Sequence, residues 1–159
     1  MLGPTVMDLE VVPFGNTKIE NTTVSCQHGV AECDANTYEQ CMIHSFPHPK
    51  QYLLMLSCLE DVLPMGSRST KFPVDVFETC AMQANLDFSP IQDCHDSPVL
   101  AWKVLQEAAD ATPDYHDHVP WVEIDESTWM RRITISWKKF AKRTRPRVDL
   151  IQRATTKVR

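Results

Sequence analysis

The residues with the most chemical potential in this chain are its six cysteines, Cys26, Cys33, Cys41, Cys58, Cys80 and Cys94. Three of them crowd into the stretch CQHGVAECDANTYEQC, residues 26–41, together with His28 and Gly29. A dithiol oxidoreductase needs two cysteines two residues apart at a helix start. There the helix amino terminus lowers one thiol's pKa, and the second thiol resolves the mixed disulfide. No CxxC occurs here: Cys26 and Cys33 are seven apart, Cys33 and Cys41 eight, and the other three are isolated. No pair is spaced for that chemistry. All six cysteines are candidates for structural disulfides. Zinc is a weaker alternative through Cys26, His28, Cys33 and Cys41. The spacing lacks the two close CxxC-like pairs of common zinc modules, so structural disulfides are the expectation and no metal site is assigned.

Three further groups carry possible chemistry. His116 and His118 alternate before a strand, as metal ligands can, although surface or hydrogen-bonding roles are commoner. Cys94-His95-Asp96 lists the residue types of a nucleophilic triad, but adjacent residues rarely face each other as a triad requires. Asn21-Thr22-Thr23 is an acceptor sequon for N-glycosylation. Beside clustered cysteines it points to an oxidising, secretory or lysosomal history.

Composition fits one soluble domain with a real core, since 43% of the 159 residues are hydrophobic and 23% charged. No apolar run approaches a membrane span, and no stretch near Met1 reads as a signal peptide. The net charge of −5 conceals a division. Residues 131–159 hold eleven of the 16 basic side chains and one acid, Asp149, which leaves residues 1–130 with a net of −15. A basic tail can bind nucleic acid or an anionic membrane. A solvated tail is the simpler reading, and no nucleic-acid partner is expected.

The elements that must position these residues follow from periodicity and punctuation. Residues 8–14 (DLEVVPF) read as a buried strand turned by Gly15-Asn16, and 22–25 as a second extended piece. Asn36 with Glu39 three positions on predicts a helix start, with Tyr38, Cys41, Met42 and Ser45 along one face. Residues 50–62 predict a central core helix with a stripe of Leu53, Leu56, Leu59 and Leu63, widened by Met55 and Cys58. Pro73 opens a helix through Val74, Phe77 and Ala81. Ser89-Pro90 and Ser97-Pro98 open two more, the second amphipathic through Val99, Trp102, Leu105 and Ala109. Residues 118–124 (HVPWVEI) predict a strand, with Pro120 at its start or in a cis bend. A helix is expected over 127–140 and a fraying basic tail beyond residue 142. Strand, cysteine turn, several helices, then strand after proline is an α/β order with a helical insertion.

With these residues in view, the chain resembles the gamma-interferon-inducible lysosomal thiol reductase family. Residues 26–41 fit the family signature CQHG-x2-EC-x2-N-x4-C at every fixed position: Cys26, Gln27, His28, Gly29, Glu32, Cys33, Asn36 and Cys41. VVPFGN (11–16) looks like the family's VPYGN strand and turn, TCAM (79–82) like its ECAM segment, and HDHVPWV (116–122) like its H-x-x-VPWV. The likeness covers about residues 2–126.

The resemblance implies a thioredoxin-like fold with a helical insertion. It implies reduction of disulfide-bonded protein substrates in an endosomal, lysosomal or extracellular setting, with glycosylation at Asn21, structural disulfides and no cofactor. It also implies that Pro120 is a cis-proline helping to hold an extended substrate. The family's first strand and its catalytic CxxC would lie before Met1, so a partial domain over 1–126 is expected, N-terminally truncated, and neighbouring strands would be left with unpaired ladder groups. Residues 127–159 are expected to be a divergent basic helix and tail, because the hairpin that should follow VPWV lacks its glycine. The reading is therefore a family thiol oxidoreductase whose 159 residues lack the reacting dithiol and are inactive alone. The alternatives are a non-catalytic, disulfide-stapled secreted binding protein and a zinc-stabilised module.

Overall fold

A computed structural model describes residues 9–62, 73–124 and 154–158. The order of elements is β1 (Leu9–Pro13), β2 (Lys18–Glu20), β3 (Thr23–Ser25), α1 (Val30–Ser45), α2 (Pro49–Val62), α3 (Val74–Gln83), α4 (Ser89–Asp96), α5 (Pro98–Ala111), β4 (Trp121–Ile124) and β5 (Ala154–Val158). The described residues are mixed α/β, with five helices and a small sheet against which α1 and α5 pack through β1.

The main sheet has the order β1-β5-β4. β5 runs antiparallel to β1, from Leu9 opposite Val158 to Pro13 opposite Ala154. It runs parallel to β4, from Trp121 opposite Thr155 to Ile124 opposite Val158. Residues 154–158 therefore do not belong to a fraying tail: they form the central strand. β1 and β4, the two strands most legible in sequence, are not neighbours in the sheet; each finds its ladder partner in β5. β2 and β3 form a separate hairpin, with Ile19 opposite Val24 and Asn21 at the turn.

The core is organised by α1, which packs against α2, α4, α5 and β1. Its buried face carries Ala35, Tyr38, Cys41 and Met42, all at 1% exposure or less. Tyr38 stacks on Phe77 at 4.7 Å between ring centroids. Tyr52, Met55, Leu59, Phe77, Cys80 and Ile91 complete the same cluster. Burial of this apolar surface is the main stabilising term for so small a domain.

Several helix assignments change in detail. α1 begins at Val30, with Gly29 as its cap residue, so Asn36 lies inside the helix and caps nothing. Its amide is occupied elsewhere. The core helix is α1, and the buried stripe of α2 is Tyr52, Met55 and Leu59, whereas Leu53 is exposed and Leu56 half-buried. A tyrosine was the missing member: its ring fills the core while its hydroxyl reaches the Leu9 carbonyl at 3.4 Å. α5 is capped by Ser97, whose side chain accepts the Leu100 N–H, and it buries Val104, Leu105 and Ala108 while Val99 points to solvent. Pro73 is the residue before α3 rather than its first. The expected helix over 127–140, Leu63 and the boundary at 126–127 lie outside the described residues. No helix among the described residues is long and apolar enough to cross a membrane.

Candidate functional site

Disulfide geometry decides the role of the cysteines. Cys26 is bonded to Cys33, Cys41 to Cys94 and Cys58 to Cys80, and none of the six is free. The first bridge closes the turn before α1, the second ties α1 to α4, and the third ties α2 to α3. The zinc set is removed by the same fact, because Cys26, Cys33 and Cys41 each spend their sulfur on another sulfur and no thiolate is left to coordinate. Cys94 likewise cannot be a nucleophile.

The remaining signature residues build one joint around the first bridge. Gly29 has φ +97°, a backbone region that side chains rarely adopt, and a Cβ placed on it would meet nothing within 4 Å. Glycine is required there by backbone conformation and not by space. Glu32, only 5% exposed, accepts the backbone N–H of His28 at 2.5 Å and faces His28 Nδ1 at 3.2 Å. This ties down the chain entering the helix and places a carboxylate in the first turn, where the helix dipole favours it. Gln27 Oε1 accepts from Asn16 Nδ2 at 2.7 Å.

Asn36 is 1% exposed and points back at the end of β1. Its Nδ2 donates to Thr17 Oγ at 3.0 Å and to the Phe14 carbonyl at 3.3 Å. One turn further along, Gln40 Nε2 donates to the Pro13 carbonyl at 3.2 Å. The Thr17 hydroxyl donates to the Phe14 carbonyl at 2.5 Å, and its oxygen lies 3.4 Å from Cys26 Sγ. The turn after β1 is thus bound by α1 side chains on one side and meets the first disulfide on the other.

The same turn reaches the loop before β4. Asn16 Oδ1 lies 3.2 Å from His116 Nε2, and His116 Nδ1 lies 2.6 Å from the Pro113 carbonyl. Asn16 therefore joins Gln27 of the signature to His116. The Val119–Pro120 bond is cis and leads into β4. Pro120 is half-buried, and Trp121 after it meets Tyr115 at 5.7 Å and His118 at 5.3 Å, both edge to face. His118 pairs with Asp117, whose carboxyl is held below its usual range by that contact. Tyr115 donates to Glu123, and this bond to a carboxylate pushes the phenol pKa up.

A second polar cluster sits between α1 and α4. His95 Nε2 is 2.9 Å from Asp34 Oδ1 and its Nδ1 is 3.0 Å from Asp96 Oδ1. The adjacent His95 and Asp96 therefore do face each other, contrary to expectation, but next to a bonded sulfur. The imidazole stacks on Tyr38 at 3.7 Å with 7° between planes. Burial alone would lower the His95 pKa, but hydrogen bonds and charge from Asp34 and Asp96 outweigh it and hold it above the ordinary value.

Thr17, Asn16 as a bridge, and Asp34 as the partner of His95 were not singled out in sequence. Asn16 stood inside VVPFGN; Thr17 and Asp34 had no spacing signal, because Cys26, Asn36 and His95 lie nine, 19 and 61 positions from them. Asn21 is exposed at the β2–β3 turn with φ 55°.

Residues 2–84 match the family model described as gamma interferon inducible lysosomal thiol reductase. A gamma-interferon-responsive lysosomal thiol protein of Arabidopsis thaliana is 31% identical over 125 residues, 76% of this chain and 48% of that protein. A gamma-interferon-inducible lysosomal thiol reductase of Mus musculus is 26% identical over 129 residues, again 76% of this chain and 48% of the relative. GILT-like protein 2 of Drosophila melanogaster is 28% identical over 88 residues, 55% of this chain and 37% of that protein. The chain spans about half the length of the first two.

Proposed function

The chain belongs to the gamma interferon inducible lysosomal thiol reductase family, and on that premise we propose that its 159 residues supply scaffold and substrate-facing edge to a thiol–disulfide oxidoreductase, but not the reacting dithiol. The substrates are disulfide-bonded proteins, and the setting is endosomal, lysosomal or extracellular. Residues 1–126 form the family domain, thioredoxin-like with α1 to α5 as the helical insertion, and 127–159 are a divergent extension that lends β5 to the sheet.

In such an enzyme a thiolate attacks one sulfur of a substrate disulfide, the other sulfur leaves as a thiolate, and a second enzyme thiol resolves the mixed disulfide. Pro120 is the substrate-positioning residue in this reading. A proline carries no N–H, so the edge beside it leaves an extended substrate free to pair with its neighbours. Trp121 follows it in the chain and meets the ring of Tyr115, which adds apolar area. Asn21, exposed and remote from this edge in sequence, carries a glycan.

The observation behind the inactive state of these residues is the complete pairing of the cysteines: all six are bonded and none stands in CxxC spacing. Insulin reduction with a polypeptide of these 159 residues is the test. No turnover above the reductant background is expected; turnover comparable to thioredoxin overturns the proposal. Complete pairing also suits a non-catalytic, disulfide-stapled binding protein on the same scaffold. The two readings part on the transcript: a strand and CxxC in frame upstream of Met1 supports the enzyme, and their absence supports the binding protein.

A further inference from the structure

The three disulfides are not equivalent. Cys41 and Cys80 are at 0% exposure and Cys94 at 3%, so each of their bridges has at least one half sealed in the core. Cys26 and Cys33 are both half-exposed. Their bridge spans seven positions, against 53 and 22 for the other two. The turn it closes is held independently by the Gly29 N–H on the Cys26 carbonyl at 3.1 Å and by the His28 N–H on the Glu32 carboxylate.

The polar surroundings of Cys26 are incomplete in the oxidised state. A disulfide sulfur has no proton to give. The single proton of Thr17 goes to the Phe14 carbonyl, and one lone pair of its oxygen takes the Asn36 N–H. The second lone pair, 3.4 Å from Cys26 Sγ, has no proton to accept from that sulfur until Cys26 becomes a thiol. Asn36 Oδ1, buried beside it, also has no partner. Cys33 meanwhile stands in the first turn of α1, where a developing thiolate is favoured, with the neighbouring Glu32 carboxylate engaged by His28.

We infer that Cys26–Cys33 is an exchangeable disulfide, a thiol–disulfide site that an external dithiol reduces while the rest of the fold stays closed. The thiolate of the dithiol attacks Cys26 Sγ, and the Sγ–Sγ bond breaks with Cys33 leaving as a thiolate. The second thiol of the reductant loses its proton and displaces Cys26 as a thiolate, which takes up a proton and donates a hydrogen bond to Thr17 Oγ. The reductant becomes a disulfide; Cys26 and Cys33 gain two electrons. Thr17 is a positioning residue for the reduced state. This inference does not depend on the function proposed above, and insulin turnover bears on that proposal alone.

The experiment is titration of the purified chain with dithiothreitol, followed by alkylation and peptide mass mapping. Cys26 and Cys33 should open together at a dithiol concentration at least about tenfold below that which opens either other bridge. Their opening only together with Cys41–Cys94 or Cys58–Cys80 overturns the inference. Thr17→Val should shift the Cys26–Cys33 equilibrium about tenfold toward the disulfide, and Thr17→Ser should restore it, as loss of one hydrogen bond implies. Equal equilibria in all three proteins count against it. Should Thr17→Val fail to fold, Cys26→Ser leaves Cys33 free. Its alkylation at about pH 7 should then exceed that of an unstructured peptide thiol about tenfold, and equal rates overturn the inference.

Discussion

Cys41 on α1 is bonded to Cys94 on α4 across 53 positions of sequence, and one helical turn before Cys41 the ring of Tyr38 stacks on His95, the neighbour of Cys94. A covalent and a polar clasp therefore close the same helix pair. The two act at different ends of the folding equilibrium. The disulfide restricts the unfolded chain; the imidazole contacts stabilise the folded one.

The entropic part of cross-linking grows with the loop closed. Removing Cys41–Cys94 by paired alanine substitution should cost about 4 kcal/mol, removing Cys58–Cys80 about 3.5, and removing Cys26–Cys33 about 2.5. Urea unfolding of the three variants checks the order. A largest loss at Cys26–Cys33 contradicts it.

His95 gives the fold a pH dependence of definite sign. Its pKa is raised in the folded state, so its contribution is complete below the unfolded value and is lost as pH rises through the folded one. The reason is structural: an imidazolium donates from both ring nitrogens, to Asp34 and Asp96, and places a cation on the Tyr38 face, whereas neutral imidazole donates from one. Asp96, lowered chiefly by its bond to His95 and then by Gln92, contributes above its unfolded value and loses that contribution as pH falls through its folded one. The pair is thus most stabilising in mildly acidic solution. The melting-temperature difference between the chain and His95→Gln should be larger near pH 5 than near pH 8; equal differences at the two pH values contradict this.

Gly29 enters α1 with φ +97° and open space around its missing Cβ. Gly29→Ala should destabilise by about 1–2 kcal/mol through backbone strain alone. A neutral result in thermal unfolding would place the strain elsewhere.

Asn36 is the buried link between α1 and the turn after β1. Asn36→Leu removes its bonds to Thr17 Oγ and the Phe14 carbonyl and should cost about 1–3 kcal/mol, since both oxygens stay buried. Hydrogen exchange should show the loss first at Phe14–Thr17. Unchanged protection there contradicts the assignment.

Much of this architecture is legible in the sequence. The signature stretch, the proline-capped helices and the two outer strands of the sheet have local signals: residue spacing, cap residues and β-branched runs. What escaped has non-local causes. Asn36 looked like a cap because its type suits one; a buried carbonyl 22 positions away claimed its amide instead. Leu53 and Val99 fitted a helical stripe, but the helix rotates to bury Tyr52 and Val104, whose neighbours come from other elements. The central strand β5 lies in a segment read as a basic tail, because its five residues, ATTKV, gain strand character from β1 and β4 on either side rather than from their own pattern. The site was legible as a signature, but not as a joint, since Thr17, Asn16 and His116 come together only in three dimensions.

The central claim is that every cysteine of this chain is paired in the native, oxidised fold. Proteolysis of the native, unreduced chain with free thiols blocked, followed by mass mapping of linked peptides, tests it directly. The account predicts Cys26–Cys33, Cys41–Cys94 and Cys58–Cys80, with no blocked thiol. A blocked thiol at any of the six, or any other pairing, contradicts it.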